Sequence, residues 1–164
     1  KLLSAEPVFA PDFGIYSHRI GEQWLAGGAS NTGGAAIGKY FTKEDIARLT
    51  PLLDPNAPTG LDYYPLPKPG ERFPVNDPNF QPRLTPRPAD DRVFFQGILE
   101  GIARIEAEAY AKLGALGASP LKSIRTAGNR NHPGALRGKQ AGRPLPQTAG
   151  RSGDNRDLTL NAEQ

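Results

Sequence analysis

Short runs of β-prone residues open the chain, separated by turn residues. The runs cover residues 8–9, 14–20 and 23–26, with turn signals at 11–12 and 21–22. Runs of aromatic and β-branched residues between such signals are typical of strands. The pattern therefore predicts an antiparallel meander in the first part of the chain.

A glycine-rich loop, residues 27–34, follows the last of these runs. It contains four glycines together with alanine, serine, asparagine and threonine. The pattern after it predicts a helix over residues 35–41, with Asn31 or Thr32 as its N-cap. The loop is therefore expected to join a strand to a helix.

A proline-rich segment, residues 51–88, forms the middle of the chain. Before it, Thr42 resembles the cap of a short helix over residues 44–49. The segment holds eleven prolines, too many for regular structure, because each one removes a main-chain donor and fixes φ. Apolar residues within 61–66 and 73–75 predict an ordered, irregular excursion over a core.

The clearest helical period covers residues 91–116. Asp90 or Asp91 is placed to cap this helix and Gly117 to end it, and a strand is predicted at 121–126. The wide apolar face of the helix needs a sheet or a partner helix to cover it. Its apolar positions are Phe94, Phe95, Ile98, Leu99, Ile102, Ile105, Tyr110, Leu113 and Leu116.

Residues 129–164 form a basic tail with few apolar side chains. The tail contains six arginines and lysines against three acidic residues, so it accounts for the net charge of +3. A segment this polar cannot offset its ordering entropy by burial, which predicts disorder. Nucleic-acid binding by the tail is the weakest hypothesis, because the tail has no aromatic residue to stack on bases. No nucleic-acid partner is expected.

Composition excludes several classes of site. The chain has no cysteine and two histidines, so a disulfide framework, a thiol nucleophile and a cysteine zinc site are excluded, and no metal-binding residue is assigned. No apolar run has the length of a membrane span or signal peptide, which predicts a soluble, cytoplasmic protein without a membrane partner. The chain also has no methionine, so we expect it to begin inside a longer reading frame.

Candidate chemistry is sparse, and two interpretations of the glycine-rich loop stay open. Small residues before a helix let main-chain amides approach a phosphate, or they serve only a tight turn. The spacing Gly33, Gly38 and Lys39 approaches a P-loop, but Tyr40 stands where Mg²⁺ ligation needs serine or threonine. Trp24, Tyr63 and Tyr64 could stack on a base or sugar, but single aromatic residues more often serve core or edge packing. His18 is interpreted as a structural hydrogen-bonding residue, and Glu100, Glu106 and Glu108 as a solvated helix face.

Several stretches together resemble the second domain of FGGY carbohydrate kinases, in the branch that phosphorylates D-ribulose or D-xylulose. The similarity runs from residue 1 to about 128. It is carried by IYSHRI at 15–20, WLAGGASNTGG at 24–34, TGLDYYP at 59–65, PRPADD at 86–91 and FFQGILEGIARIE at 94–106.

The resemblance implies an incomplete α/β domain, 1–128, of the ribonuclease-H-like, actin-like ATPase type, followed by the tail 129–164. Its cofactors would be ATP and Mg²⁺, and its substrate a ketopentose sugar. In such kinases the aspartate base lies in the other lobe, so this chain has no catalytic residue and is expected to be inactive alone.

Four positions match the family's adenosine and phosphate elements. Gly34 and Gly38 would lie beside the nucleotide, although Gly38 replaces a longer polar side chain. Gly128 matches the later glycine element, and Asn131 is a candidate for its asparagine. The competing hypothesis is a non-catalytic interaction module that binds a partner, or self-associates, through an exposed apolar face of helix 91–116.

Overall fold

The computed structural model describes residues 1–127, 147–152 and 155–161. This part of the chain combines α-helices with two small antiparallel sheets. Two short 3₁₀ turns, Pro11–Phe13 and Thr50–Leu52, complete the regular structure. The elements are β1 (Leu2–Ser4), β2 (Tyr16–Ile20), β3 (Gln23–Gly27), α1 (Gly34–Ile37), α2 (Lys43–Leu49), α3 (Asp91–Ala115), β4 (Ser123–Ala127), β5 (Gln147–Ser152) and β6 (Asn155–Asn161).

The first sheet has the order β1-β3-β2, with both pairings antiparallel. The predicted hairpin between the second and third runs is confirmed as β2 and β3. The run at 8–9 is not a strand, and β1 pairs with β3 instead. The side chain of Ser17 takes the place of strand pairing at Val8, because its hydroxyl accepts from the Val8 amide at 2.7 Å and donates to the Val8 carbonyl at 2.8 Å.

Helix α3 and the proline-rich segment bury each other. The helix follows its predicted range closely, and the largest side chains of its apolar face are buried. A sheet or second helix was expected as the cover, but much of the cover comes from the irregular segment, which packs Tyr63 and Leu61 against Phe94 and Ile98. The segment is ordered, as predicted. The exposed helix face that the interaction hypothesis required is absent in the described part of the chain.

The helix ends follow local sequence signals, with one exception. Thr42 caps α2 through a capping box with Asp45, and Asp90 caps α3. The amide of Ala118 bonds back to the Leu113 carbonyl across Gly117, whose φ of +94° suits glycine. Helix α1 is the exception. It is only four residues long, and no side chain caps it.

The second sheet lies at the end of the described chain, in the order β4-β6-β5. Strand β4 confirms the predicted strand at 121–126. Strands β5 and β6 lie within 129–164 and differ there from the predicted disorder, since main-chain pairing does not require apolar side chains. The other tail residues lie outside the described part. None of the described helices is long and apolar enough to cross a membrane.

Candidate functional site

The glycine-rich loop leaves β3 at Gly27, whose φ of +152° already favours glycine, and two later glycines set its path into α1. Gly33 has a φ of +121°, a conformation that other residues rarely adopt. Gly28 lies against the ring of Phe73, where a Cβ atom would come within 2.6 Å of Cγ. These two glycines therefore fix the course of the loop and its close approach to the proline-rich segment.

A buried carboxylate anchors this loop from behind. Glu71 is 3% exposed, and its Oε1 accepts from the main-chain amides of Asn31 and Arg72 at 2.7 and 2.8 Å. Its Oε2 accepts from the hydroxyls of Ser30 at 2.7 Å and Tyr64 at 3.1 Å. Four donors thus converge on one carboxylate, which compensates for its lost hydration.

Further hydrogen bonds extend the anchor along the loop. The Asn31 side chain donates to the Gly70 carbonyl at 2.9 Å and accepts from Arg72 Nε at 2.8 Å. Thr32 Oγ1 donates to the Pro65 carbonyl at 2.6 Å. Asn31 and Thr32 were the predicted caps of the helix behind the loop. Their side chains hold the loop to the proline-rich segment instead.

Tyr64 shows the electrostatic effect of this anchor. Its ring is buried against Phe80, and its hydroxyl faces the carboxylate of Glu71. Burial raises the pKa of the Tyr64 hydroxyl well above its usual range, and the negative charge of Glu71 raises it further. Tyr64 therefore stays protonated and acts as a permanent donor to the anchor.

Beyond the anchor, the loop presents free main-chain donors. Among the described residues, the main-chain amides of Gly33, Gly34 and Ala35 donate to no protein acceptor. Gly34 and Ala35 are exposed, and a Cβ atom added at Gly34 would meet nothing within 4 Å. Three consecutive unpaired amides on a fixed, open backbone can donate to an anionic group such as a phosphate.

A pocket of about 220 Å³ lies between the loop and α3. Gly28, Ser30 and Gly33 line it on the loop side, and Ile102 and Ile105 line it on the helix side. Of the described residues that line it, Glu106 is the only one with a carboxylate. Lys1 lines the pocket as well, so one side-chain cation stands beside the single carboxylate and the charge of the pocket favours neither an anion nor a cation.

Two of the four predicted site residues, Gly34 and Gly38, lie in the described part of the chain, one helical turn apart. Gly34 is the first residue of α1, and Gly38 follows its last residue, with the Gly38 amide bonded to the Gly34 carbonyl at 2.9 Å. Gly128 and Asn131 lie outside the described residues. The P-loop spacing is accidental, because Gly38 and Lys39 come after the helix instead of before it.

Other candidate side chains have structural roles. Tyr63 and Tyr64 are buried, as the core interpretation predicted, and cannot stack on a base. Trp24 contacts Phe9 and Arg19. The solvated-face interpretation was wrong for Glu100, which accepts from the amide of Thr59 at 3.1 Å and from its hydroxyl at 2.6 Å.

Glu71 is the residue that sequence reasoning missed. It stands alone in an irregular segment, so no periodicity marks it as buried. Its neighbours Lys68, Gly70 and Arg72 are typical of an exposed turn, so the local sequence gave no signal of burial.

The arrangement is an anchored loop with open amides, which suits an anionic ligand. The described residues contain no group of three or more histidine, cysteine, aspartate or glutamate side chains that could hold a metal ion. A comparison of the chain with models of known protein families found no family that matches.

Proposed function

We propose that this chain is the nucleotide-side lobe of an ATP-dependent carbohydrate kinase of the FGGY type, which phosphorylates a ketopentose such as D-ribulose or D-xylulose. The observation that carries the proposal is the run of unpaired amides at residues 33–35 on an anchored glycine-rich loop. Backbone donors of this kind bind phosphate oxygens. The proposed family and the proposed sugar substrate come from the sequence resemblance.

The order of elements supports the same proposal. An antiparallel sheet, a glycine-rich turn into helices and a later strand form the succession expected of an incomplete ribonuclease-H-like domain. Helix α3 gives the loop a rigid support, because it packs along the proline-rich segment that anchors the loop. The proposed domain thus carries its phosphate donors on a rigid frame.

The proposal assigns binding to this chain and chemistry to another lobe. The amides of the loop would hold the triphosphate, with Mg²⁺ neutralising part of its charge. The aspartate that takes the proton from the sugar hydroxyl would come from the other lobe, so no residue here is proposed as catalytic. The proposed location is the cytoplasm, where ATP and sugars are both present.

Calorimetric titration of Mg·ATP into the full 164-residue chain tests the proposal. Gly34→Trp should abolish binding, because the indole fills the open space in front of the amides without straining the backbone. Gly114→Trp is the matched control. Gly114 is also exposed, has no neighbour within 4 Å of an added Cβ atom, and lies in the last turn of α3. The control should bind as the unmodified chain does.

Two results contradict the proposal. If the unmodified chain does not bind Mg·ATP, the loop is not a nucleotide site. If both tryptophan variants bind with unchanged affinity, ATP binds elsewhere and the amides are not its ligands.

The outer face of the first sheet favours a second candidate, self-association without catalysis. Register places Leu3, Tyr16 and Ile20 on one face of the sheet, beside His18 and Leu25. The exposed fractions of Leu3, Tyr16 and Ile20 are 48%, 52% and 53%, respectively. Exposed apolar side chains that share one face of a sheet commonly mark an interface. This face takes the place of the helix surface that the sequence suggested.

Light scattering as a function of concentration tests self-association. The unmodified chain should be larger than a monomer, and Ile20→Lys should return it to a monomer, because a charge cannot be buried cheaply at an apolar interface. Glu22→Lys, in the adjacent exposed turn, is the control for added charge. A monodisperse monomer at all concentrations would contradict the candidate.

A further inference from the structure

We propose that the pocket between the glycine-rich loop and α3 binds a free aliphatic α-amino acid of the size of leucine. This site depends on the side chains that line the pocket, whereas the proposed nucleotide site depends on open amides of the loop. Either site can therefore exist without the other. The pocket has three features that match such a ligand: an apolar floor, a charged mouth and a small volume.

The floor of the pocket is apolar. Phe73, Ile105 and Leu113 line it, and they are 3%, 3% and 2% exposed, respectively. Ile102 and Ala109 add aliphatic surface on the same face of α3, because the helical repeat brings these positions together. None of these side chains has a group that could pair with a polar atom. The part of a ligand that reaches the floor must therefore be a hydrocarbon.

The loop side of the pocket offers no free hydroxyl proton. Ser30 and Thr32 line it, but their hydroxyls already donate to Glu71 at 2.7 Å and to the Pro65 carbonyl at 2.6 Å, respectively. The side-chain groups that remain for a polar part of the ligand are those at the mouth.

Two opposite charges lie at the mouth, on exposed side chains. Glu106 and Lys1 both line the pocket, and none of the six ion pairs among the described residues includes either of them. The Lys1 ammonium donates to the Gly27 carbonyl at 3.0 Å, which leaves two of its three protons free. Burial raises the pKa of the Tyr110 hydroxyl, and the negative charge of Glu106 raises it further. Glu106 therefore acts on a side chain of the same pocket wall.

A zwitterion pairs with both charges at once. Its ammonium group can face Glu106 while its carboxylate faces Lys1, whereas a simple amine or a simple acid leaves one of the two side chains without a partner. In an α-amino acid both charged groups are attached to one carbon atom, so the side chain is free to enter the pocket. The charged mouth and the apolar floor together match an α-amino acid with a hydrocarbon side chain.

The volume of the pocket limits the size of this side chain. At about 30 Å³ for each non-hydrogen atom, 220 Å³ holds about seven such atoms. Leucine fits when its two carboxylate oxygens stay at the mouth. The larger ring of phenylalanine does not fit, so we expect phenylalanine to bind more weakly than leucine.

Calorimetric titration of L-leucine into the full 164-residue chain tests this site. Two analogues are the ligand controls: isocaproate lacks the ammonium group of leucine, and isopentylamine lacks its carboxylate. Both should bind about ten-fold more weakly than L-leucine, or worse, because each leaves one charge at the mouth unpaired.

A matched pair of variants locates the site. Glu106→Gln should weaken the binding of L-leucine about ten-fold or more, because the ligand ammonium loses its partner. It should not weaken the binding of isocaproate, which has no ammonium group. Glu108→Gln is the control, because Glu108 is exposed on the same helix and is not among the described residues that line the pocket. This control should bind L-leucine as the unmodified chain does.

Three results would overturn the amino-acid site. The first is no binding of L-leucine at concentrations up to about 10 mM. The second is an equal loss in Glu106→Gln and Glu108→Gln, since a general effect of charge would then explain both. The third is equal affinity for L-leucine and isocaproate, since the ammonium group would then have no partner. Failure to bind Mg·ATP, by contrast, would contradict the proposed function and leave this site standing.

Discussion

Two glycines in α3 determine how closely the proline-rich segment approaches the helix. A Cβ atom at Gly101 would lie 2.6 Å from the carbonyl oxygen of Tyr63, and one at Gly97 would lie 2.8 Å from Leu61 Cδ1. The contact at Gly101 is with backbone, which cannot turn aside as a flexible side chain can. The close contact between α3 and the main chain of Tyr63 therefore requires glycine at residue 101, although glycine lowers the intrinsic stability of a helix.

Substitution at two glycines of the same helix should have opposite effects. Gly101→Ala should destabilise the chain by about 1–3 kcal/mol, because the added methyl overpacks against Tyr63. Gly114→Ala should stabilise it by up to about 1 kcal/mol, because that site is exposed and open and alanine favours the helix. Urea unfolding at neutral pH measures both, and stabilisation by Gly101→Ala would contradict the close packing.

At the scale of elements, α2 is held at its start by a reciprocal cap. The hydroxyl of Thr42 accepts from the amide of Asp45 at 3.1 Å, and the carboxylate of Asp45 accepts from the amide of Thr42 at 3.2 Å. The hydrogen bond from Thr42 and the nearby Arg48 hold the pKa of Asp45 below its usual value. A lowered carboxyl pKa stabilises the fold above the usual carboxyl range, and this contribution is lost as the pH falls.

Thr42→Ala should therefore lower stability in a pH-dependent way. At pH 7 the loss of the cap should cost about 1 kcal/mol. The difference from the unmodified chain should shrink as the pH falls through the carboxyl range, because Asp45 becomes protonated there in both proteins. Urea unfolding across this range measures the effect, with Thr42→Ser as the control that keeps the hydroxyl. A difference that grows toward low pH would contradict it.

At the scale of the whole molecule, the irregular segment and the helix form one packed unit. Tyr63, Tyr64 and Leu66 are buried, and the main chain of Tyr64 pairs with that of Arg83. A segment with so little regular structure would be mobile if it were only a linker. Here its contacts tie it to α3 and to the glycine-rich loop, so we expect it to unfold only with the helix.

Trypsin tests this cooperative unfolding. In the native chain, cleavage after Arg72 and Arg83 should be about 100-fold slower, or more, than in the urea-unfolded chain. The reason is that cleavage requires the paired backbone to open. Mass spectrometry of timed digests identifies the bonds cut. Rapid cleavage at either residue without added urea would show that the segment opens on its own.

The sequence by itself determined the elements that depend on local signals. The helical period and the caps at Asp90 and Gly117 placed α3 to within a residue, and the turn residues at 21–22 placed the hairpin of β2 and β3. The sequence also identified the glycine-rich loop as a strand-to-helix junction. These features follow from propensities and capping within a few residues of each other, so they can be read without knowing the fold.

The tertiary structure alone decided what each side chain of the loop and segment does. Asn31 and Thr32 have side chains suited to helix capping, yet they bind carbonyl groups of the proline-rich segment 39 and 33 positions away, respectively, and α1 stays short. Glu71 becomes the anchor because donors from two separate stretches of the chain, residues 30–31 and residues 64–72, meet around it. Such a site depends on contacts between distant parts of the chain, which no local pattern encodes.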